Sequence, residues 1–178
     1  MPVSAGIYVF EPTPYDLGDL RHDNAWEWGL DFSGGWYFEE VVLTFKNIRN
    51  SNDAPNILFI RLLDDVTVGT TKYWDSPDVE SDYFACQGVL IDAWTDDVPG
   101  NPSVVDLTYT FSTEGLLGHW SNFVANDGMV GFGFDPDCHF DNDGIELTVT
   151  GAIPEPGTMM LFALGMVSGV AAYRKKKK

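Results

Sequence analysis

The stretch that most constrains this chain is its last, Ile153 to Lys178, which reads IPEPGTMMLFALGMVSGVAAYRKKKK. It has three parts: Pro154-Glu155-Pro156, an uncharged run from Gly157 to Tyr173, and a basic end, Arg174 to Lys178. The prolines hold the chain extended, because each fixes its own φ and pushes the residue before it away from the helical region. The uncharged run predicts a single C-terminal hydrophobic helix able to enter a bilayer. Consecutive cations resist crossing one, so the basic end is expected to stay in the cytoplasm and everything before Pro154 to lie outside. The apolar part is short: Met159 to Tyr173 gives about 22 Å of helix at about 1.5 Å per residue, against a hydrocarbon core of about 30 Å. Arg174, Lys175, Lys176, Lys177 and Lys178 can snorkel to recover part of that mismatch. A short span behind an extended Pro-Glu-Pro suits a temporary anchor presented to a membrane enzyme.

Those three ordered parts at the C-terminus resemble the PEP-CTERM sorting signal of Gram-negative bacteria. The resemblance implies recognition and cleavage near Pro154, Glu155 and Pro156 by an exosortase. It also implies transient residence in the inner membrane, then delivery of the ectodomain to the cell surface or its exopolysaccharide matrix. It covers about 26 of the 178 residues.

The chain carries a formal charge of −17, and the tail masks part of it, since residues 1–152 hold 5 of the 10 basic and 26 of the 27 acidic residues and so carry −21. Such a surface repels nucleic acid and anionic lipid and attracts divalent cations. With 14% aromatic and 44% hydrophobic residues the segment is nonetheless no disordered acidic tail. Residues 1–152 are the size of one domain with one core, followed by the sorting segment 153–178. An outside domain needs an export signal, and MPVSAGIYVFEPTPYD has neither a basic start nor a long apolar run. The expectation is that the true start lies upstream and that Val3-Ser4-Ala5 is close to a cleavage site.

Short segments of alternating or β-rich residues recur between Gly, Pro, Asn and Asp clusters. They predict strands at about Ile7–Phe10, Ala25–Phe32, Val41–Ile48, Ile57–Leu63, Tyr83–Ala93, Val105–Ser112, Met129–Phe134 and Ile145–Thr150. In VVLTFKNI, Val41, Leu43 and Phe45 share one face opposite Thr44 and Lys46, as in a half-buried antiparallel strand. Gly115 to Asn126 has Leu116, Leu117, Trp120 and Val124 spaced for one face of a helix. The stretches Asp64–Asp82 and Trp94–Pro102 read as long acidic loops. Eight strands and one short helix predict an all-β fold, an antiparallel two-sheet β-sandwich, with the jelly roll as one form of it.

The densest polar stretch is Gly131 to Ile145, GFGFDPDCHFDNDGI. Asp135, Asp137, Asp141, Asn142 and Asp143 supply hard oxygen ligands and Gly144 a sharp turn, which suits calcium. The spacing departs from an EF-hand, because that frame puts His139 at the first ligand position. The same residues also suit a turn-rich hairpin loop held by local hydrogen bonds. Cys86 and Cys138, an even count in an exported chain, are expected to form a disulfide; a core thiol at Cys86 is the alternative. Asp19, His22, Asp23 and His139 would make a mixed oxygen and imidazole site if the first and last strands adjoin. Glu27, Glu39 and Glu40 could pair as glycosidase carboxylates, although among 27 acids such pairs arise by chance. Trp26, Trp28, Trp36, Tyr37, Trp74 and Trp94 could stack on sugar rings, or serve the core. No Gly-x-Ser-x-Gly, His-Glu-x-x-His, phosphate loop or dinucleotide fingerprint is present.

The elements DLRHDNAWEWGLDF, LTFKNI with ILFIRLLD, and GFGFDPDCHFDNDGIELTV resemble a recurrent ectodomain of PEP-CTERM proteins, which implies a β-sandwich and brings no catalytic residues. The expected function is a non-enzymatic surface or matrix protein with a structural or adhesive part. The alternative is a calcium-dependent carbohydrate-binding module of the exopolysaccharide matrix. The expected partners are an exosortase, the membrane before processing, and exopolysaccharide, with no nucleic acid.

Overall fold

The computed structural model describes residues 5–51, 55–75, 81–96 and 104–153. The expected C-terminal helix, Pro154, Glu155, Pro156 and the basic residues Arg174 to Lys178 lie outside these residues. Among the described residues no helix is long and apolar enough to cross a membrane.

The described chain runs β1 (Gly6–Phe10), β2 (Asn24–Asp31), β3 (Tyr37–Asn50), β4 (Ile57–Leu63), β5 (Gly69–Trp74), β6 (Val89–Thr95), β7 (Val105–Thr110), α1 (Leu117–Asp127), β8 (Met129–Pro136), β9 (Phe140–Asp141) and β10 (Ile145–Ala152). One sheet has the order β1-β10-β3-β7, with β9 also on β3; the other has the order β5-β2-β8-β4-β6. All of these pairings are antiparallel. With β5 and β9 set aside, eight strands remain, four in each sheet. The order is first-eighth-third-sixth in one sheet and second-seventh-fourth-fifth in the other, the double Greek key of a jelly roll. The expected two-sheet sandwich is therefore the fold.

Alternation of side chains explains why these segments pair as they do. On β3 Val41, Leu43 and Phe45 are fully buried, and on β10 Leu147 and Val149 face them across the ladder Leu147↔Leu43 and Val149↔Val41. Their neighbours Thr44, Lys46 and Glu146 point outward, where the Lys46 ammonium donates to Glu146 at 2.7 Å. From the opposite sheet Leu58, Ile60 and Leu62 on β4, and Val130, Phe132 and Phe134 on β8, close the core. Helix α1 plugs one end with Trp120, which is fully buried against Phe32, Phe38, Phe111 and Phe132. The helix ends at Gly128, whose φ of 88° is the left-handed C-cap that favours glycine.

The second sheet is buried on both faces, which the alternation alone does not foretell. Its outer face is covered by the segments at 64–68 and 81–88, and a small second core of Ala25, Leu63 and Phe84 forms beneath them. Gly133 makes this possible: a Cβ there would stand 2.6 Å from the Phe84 ring. Tyr83 to Cys86, expected as the start of a strand, is instead the turn that carries Phe84 into place, and the strand begins at Val89. The expected acidic loop Asp64–Asp82 contains β5, whose sequence GTTKYW lies at the sheet edge beside β2. Glu27, on the covered face of β2, accepts from the Thr67 amide at 2.9 Å and the Tyr73 hydroxyl at 3.0 Å.

The sandwich has two poles. β10 ends at Ala152, opposite Tyr37 at the start of β3, so the C-terminal segment leaves from that end. β3 finishes at Asn50, paired with Phe140, at the other end. The 14 residues of β3 span on the order of 40 Å at about 3.3 Å per residue.

Candidate functional site

The acidic loop lies at the pole away from the C-terminal exit, and its residues do not converge. Asp135 is 3% exposed, on the covered face of β8, and accepts from the Tyr83 amide at 2.6 Å. Burial pushes its carboxyl up to about 7, and the nearby Asp75 and Asp82 add to the rise. Asp137 accepts from the Ile57 amide at 2.5 Å while its own amide donates to the Ile57 carbonyl at 2.9 Å, which extends the β4–β8 ladder. Asp141 accepts from Arg49 Nε at 3.2 Å, and Asp143 from Asn47 Nδ2 at 2.7 Å. Asn142 donates to the Asp16 carbonyl at 3.0 Å and accepts from the Gly144 amide at 3.0 Å. Each of the five expected calcium ligands thus has its own protein partner. Among the described residues no three His, Cys, Asp or Glu side chains stand together in a metal-binding group.

The expected Cys86–Cys138 disulfide is not formed. Cys86 is exposed on the turn that lies over the middle of β8, while Cys138 follows the far end of that strand and packs against the core. Six residues of strand cover on the order of 20 Å, far beyond the ~7 Å between Cα atoms that a disulfide can bridge.

The mixed site expected from Asp19, His22, Asp23 and His139 is partly assembled. Leu20 bridges to Phe140, whose amide donates to the Leu20 carbonyl at 2.9 Å, and both side chains are fully buried. This contact brings His22 Nδ1 to 3.1 Å from His139 Nε2. Asp19 and Asp141 line a cavity of about 220 Å³ beside His139, together with Gly18, Arg21 and Ser51. Asp23 is turned aside and accepts from Asn24 Nδ2.

The glutamates do not pair. Glu27 sits under the cover of the second sheet, whereas Glu39 and Glu40 belong to β3 in the first, with Glu40 held by the Ser112 amide and hydroxyl. Most of the aromatic residues serve the core. Trp28 is buried, Trp26 lies beneath the Lys72 ammonium at 5.2 Å, and Trp94 packs on Phe140. Trp74 is 73% exposed on the edge strand β5 and Tyr37 66% exposed at the start of β3. Trp36 and Tyr37 line a cleft of about 740 Å³ whose other wall is the C-terminal half of α1, with Ser121, Asn126 and Asp127. That cleft joins residues more than 80 positions apart and leaves no motif in the sequence. It lies at the pole where the C-terminal segment departs.

Residues 152–177 match the family described as the PEP-CTERM protein-sorting motif. The match starts on Ala152, the last residue of β10. The chain therefore carries a PEP-CTERM sorting motif joined directly to the jelly roll, which marks it for membrane-associated sorting, processing by an exosortase and export to the cell surface. No curated protein matches the chain.

Proposed function

We propose that this is a non-enzymatic exported protein with a structural or adhesive role at the surface or in the extracellular matrix of a Gram-negative bacterium. Residues 1–152 form the exported ectodomain and residues 153–178 the sorting segment. The observation that carries this is the sorting motif over 152–177, placed immediately after the last strand of a closed sandwich. Pro154, Glu155 and Pro156 are the recognition element, Gly157 to Tyr173 the transient membrane anchor, and Arg174 to Lys178 the stop that fixes orientation. Truncation after Tyr173 tests this in a host with an exosortase. The truncated chain is expected to accumulate uncleaved and the intact one to reach the surface; equal delivery of both would refute the role given to the basic end.

A second reading, binding of matrix carbohydrate, is favoured by the cleft between Trp36, Tyr37 and α1, where aromatic faces stand beside Asn126 and Asp127. Sugar recognition uses that combination: stacking on the ring faces and hydrogen bonds to the hydroxyls. Calcium dependence would require an ion to displace the amide, Arg49 and Asn47 partners of the acidic loop. Trp36→Ala with Tyr37→Ala is expected to abolish retention of the protein on its host's exopolysaccharide; unaltered retention would remove this reading and leave the sorting one standing.

A further inference from the structure

We propose that His22 and His139 form a two-imidazole site for a divalent transition-metal ion of the zinc class, at the pole of the jelly roll opposite the end of β10. Their rings are tilted, 51° between planes with centroids 4.7 Å apart, so the contact between them is through the nitrogens rather than by stacking. Nδ1 of His22 and Nε2 of His139 stand 3.1 Å apart. In the neutral pair one nitrogen donates its proton to the lone pair of the other. When the donating ring instead carries its proton on its other nitrogen, both facing nitrogens present lone pairs to a metal ion. At a metal–nitrogen distance of about 2.1 Å, a separation of 3.1 Å subtends roughly 95° at the ion, an angle suited to two adjacent ligands.

The site is pre-organised by backbone. Ser51 donates to the His139 carbonyl through its amide at 2.8 Å and its hydroxyl at 2.9 Å, and the next residue, Phe140, is locked to Leu20. His22 follows Leu20 by two positions, so both rings hang from anchored chain. The cavity beside His139, of about 220 Å³, has room for water and for a carboxylate to complete the coordination. Asp19 lines that cavity, and its Oδ1 is held by a long contact, 3.3 Å from the Asn142 amide. Two imidazoles with oxygen ligands select zinc, nickel or copper over calcium. With no third ready-made ligand, the expected affinity lies well short of a structural zinc centre. Occupancy would tie the segment before β2 to the turn before β9, which are 117 residues apart.

The test is metal binding to the full-length chain without a histidine tag, at pH 7.5, by calorimetry with Zn²⁺ and visible absorption with Co²⁺. One equivalent is expected, with millimolar Ca²⁺ unable to compete. H22Q and H139Q should each weaken binding by at least about tenfold, and H119Q, on α1, should leave it unchanged. Proton NMR of the unaltered chain guards against misfolded variants: Zn²⁺ should move the ring resonances of two of the three histidines. Affinity weaker than millimolar in the unaltered chain, affinity in H22Q and H139Q equal to that of the unaltered chain, or zinc-induced shifts at His119 alone would each overturn the assignment.

Discussion

Replacing Trp120 by alanine is expected to lower the stability of the jelly roll by about 3–5 kcal/mol. Trp120 is fully buried and meets Phe32, Phe38, Phe111 and Phe132 with ring centroids between 5.3 and 6.0 Å. Its removal leaves a cavity bounded by both sheets, which cannot collapse without moving strands. A domain of this kind has only about 5–15 kcal/mol in all, so the loss is a large share of it. Trp120→Phe should be far milder, about 1 kcal/mol, because the indole Nε1 is buried and finds no acceptor among the described residues. Deleting that donor offsets part of the lost volume. Urea unfolding followed by far-UV circular dichroism gives both values. A Trp120→Ala variant within about 1 kcal/mol of the parent would contradict the central place given to this side chain.

The second large effect is a pH dependence set by Asp135. Its carboxyl is pushed up to about 7 in the folded protein by burial, with Asp75 and Asp82 pushing the same way, and it returns to about 3.9 when the chain unfolds. Between those values the folded state holds a proton that the unfolded state has lost. The contribution to stability is therefore fully present below about pH 4 and is lost as pH rises through about 7. On the order of 2–4 kcal/mol is at stake, because each pH unit between the two values is worth about 1.4 kcal/mol. Asp135→Asn keeps an acceptor for the Tyr83 amide and removes the titration. The difference in stability between parent and variant should thus grow in favour of the variant from pH 4 to pH 8. Parallel stability curves would show that Asp135 is ionised in the fold at all these pH values.

What was legible in the sequence depended on whether the physics was local. Ile57–Leu63 was legible with its bounds because ILFIRLL is an apolar run interrupted only by Arg61, the pattern of a strand covered on both faces. Helix α1 was legible because Leu116, Trp120 and Val124 recur at helical spacing, and all three are buried. β5 was not, because Thr70, Thr71 and Lys72 at a solvent-facing edge carry no apolar alternation. Nor was the turn at Phe84, whose apolar signal comes from covering Gly133 rather than from lying in a strand.

The same division applies to the candidate sites. The meeting of His22 with His139 required the topology that sets the first and last segments side by side, and the sequence offered it only as a condition. Composition drew attention to the acidic loop, but Asp137, Asp141 and Asp143 turned out to accept from Ile57, Arg49 and Asn47. No property of the loop itself names those partners. The cleft at Trp36 and Tyr37 needed the docking of α1, which is a tertiary event. The sorting motif stands at the other extreme, since its three parts act in order along the chain and can be recognised without any fold.

The most direct test of sorting is the intact mass and membrane partition of the mature protein, recovered from a host that carries an exosortase. The predicted product ends near Pro154 and lacks Lys178, and it is found at the cell surface or in the matrix. A full-length product that keeps Lys178 and stays in the inner membrane would contradict the sorting role, and would make the C-terminal segment a permanent anchor.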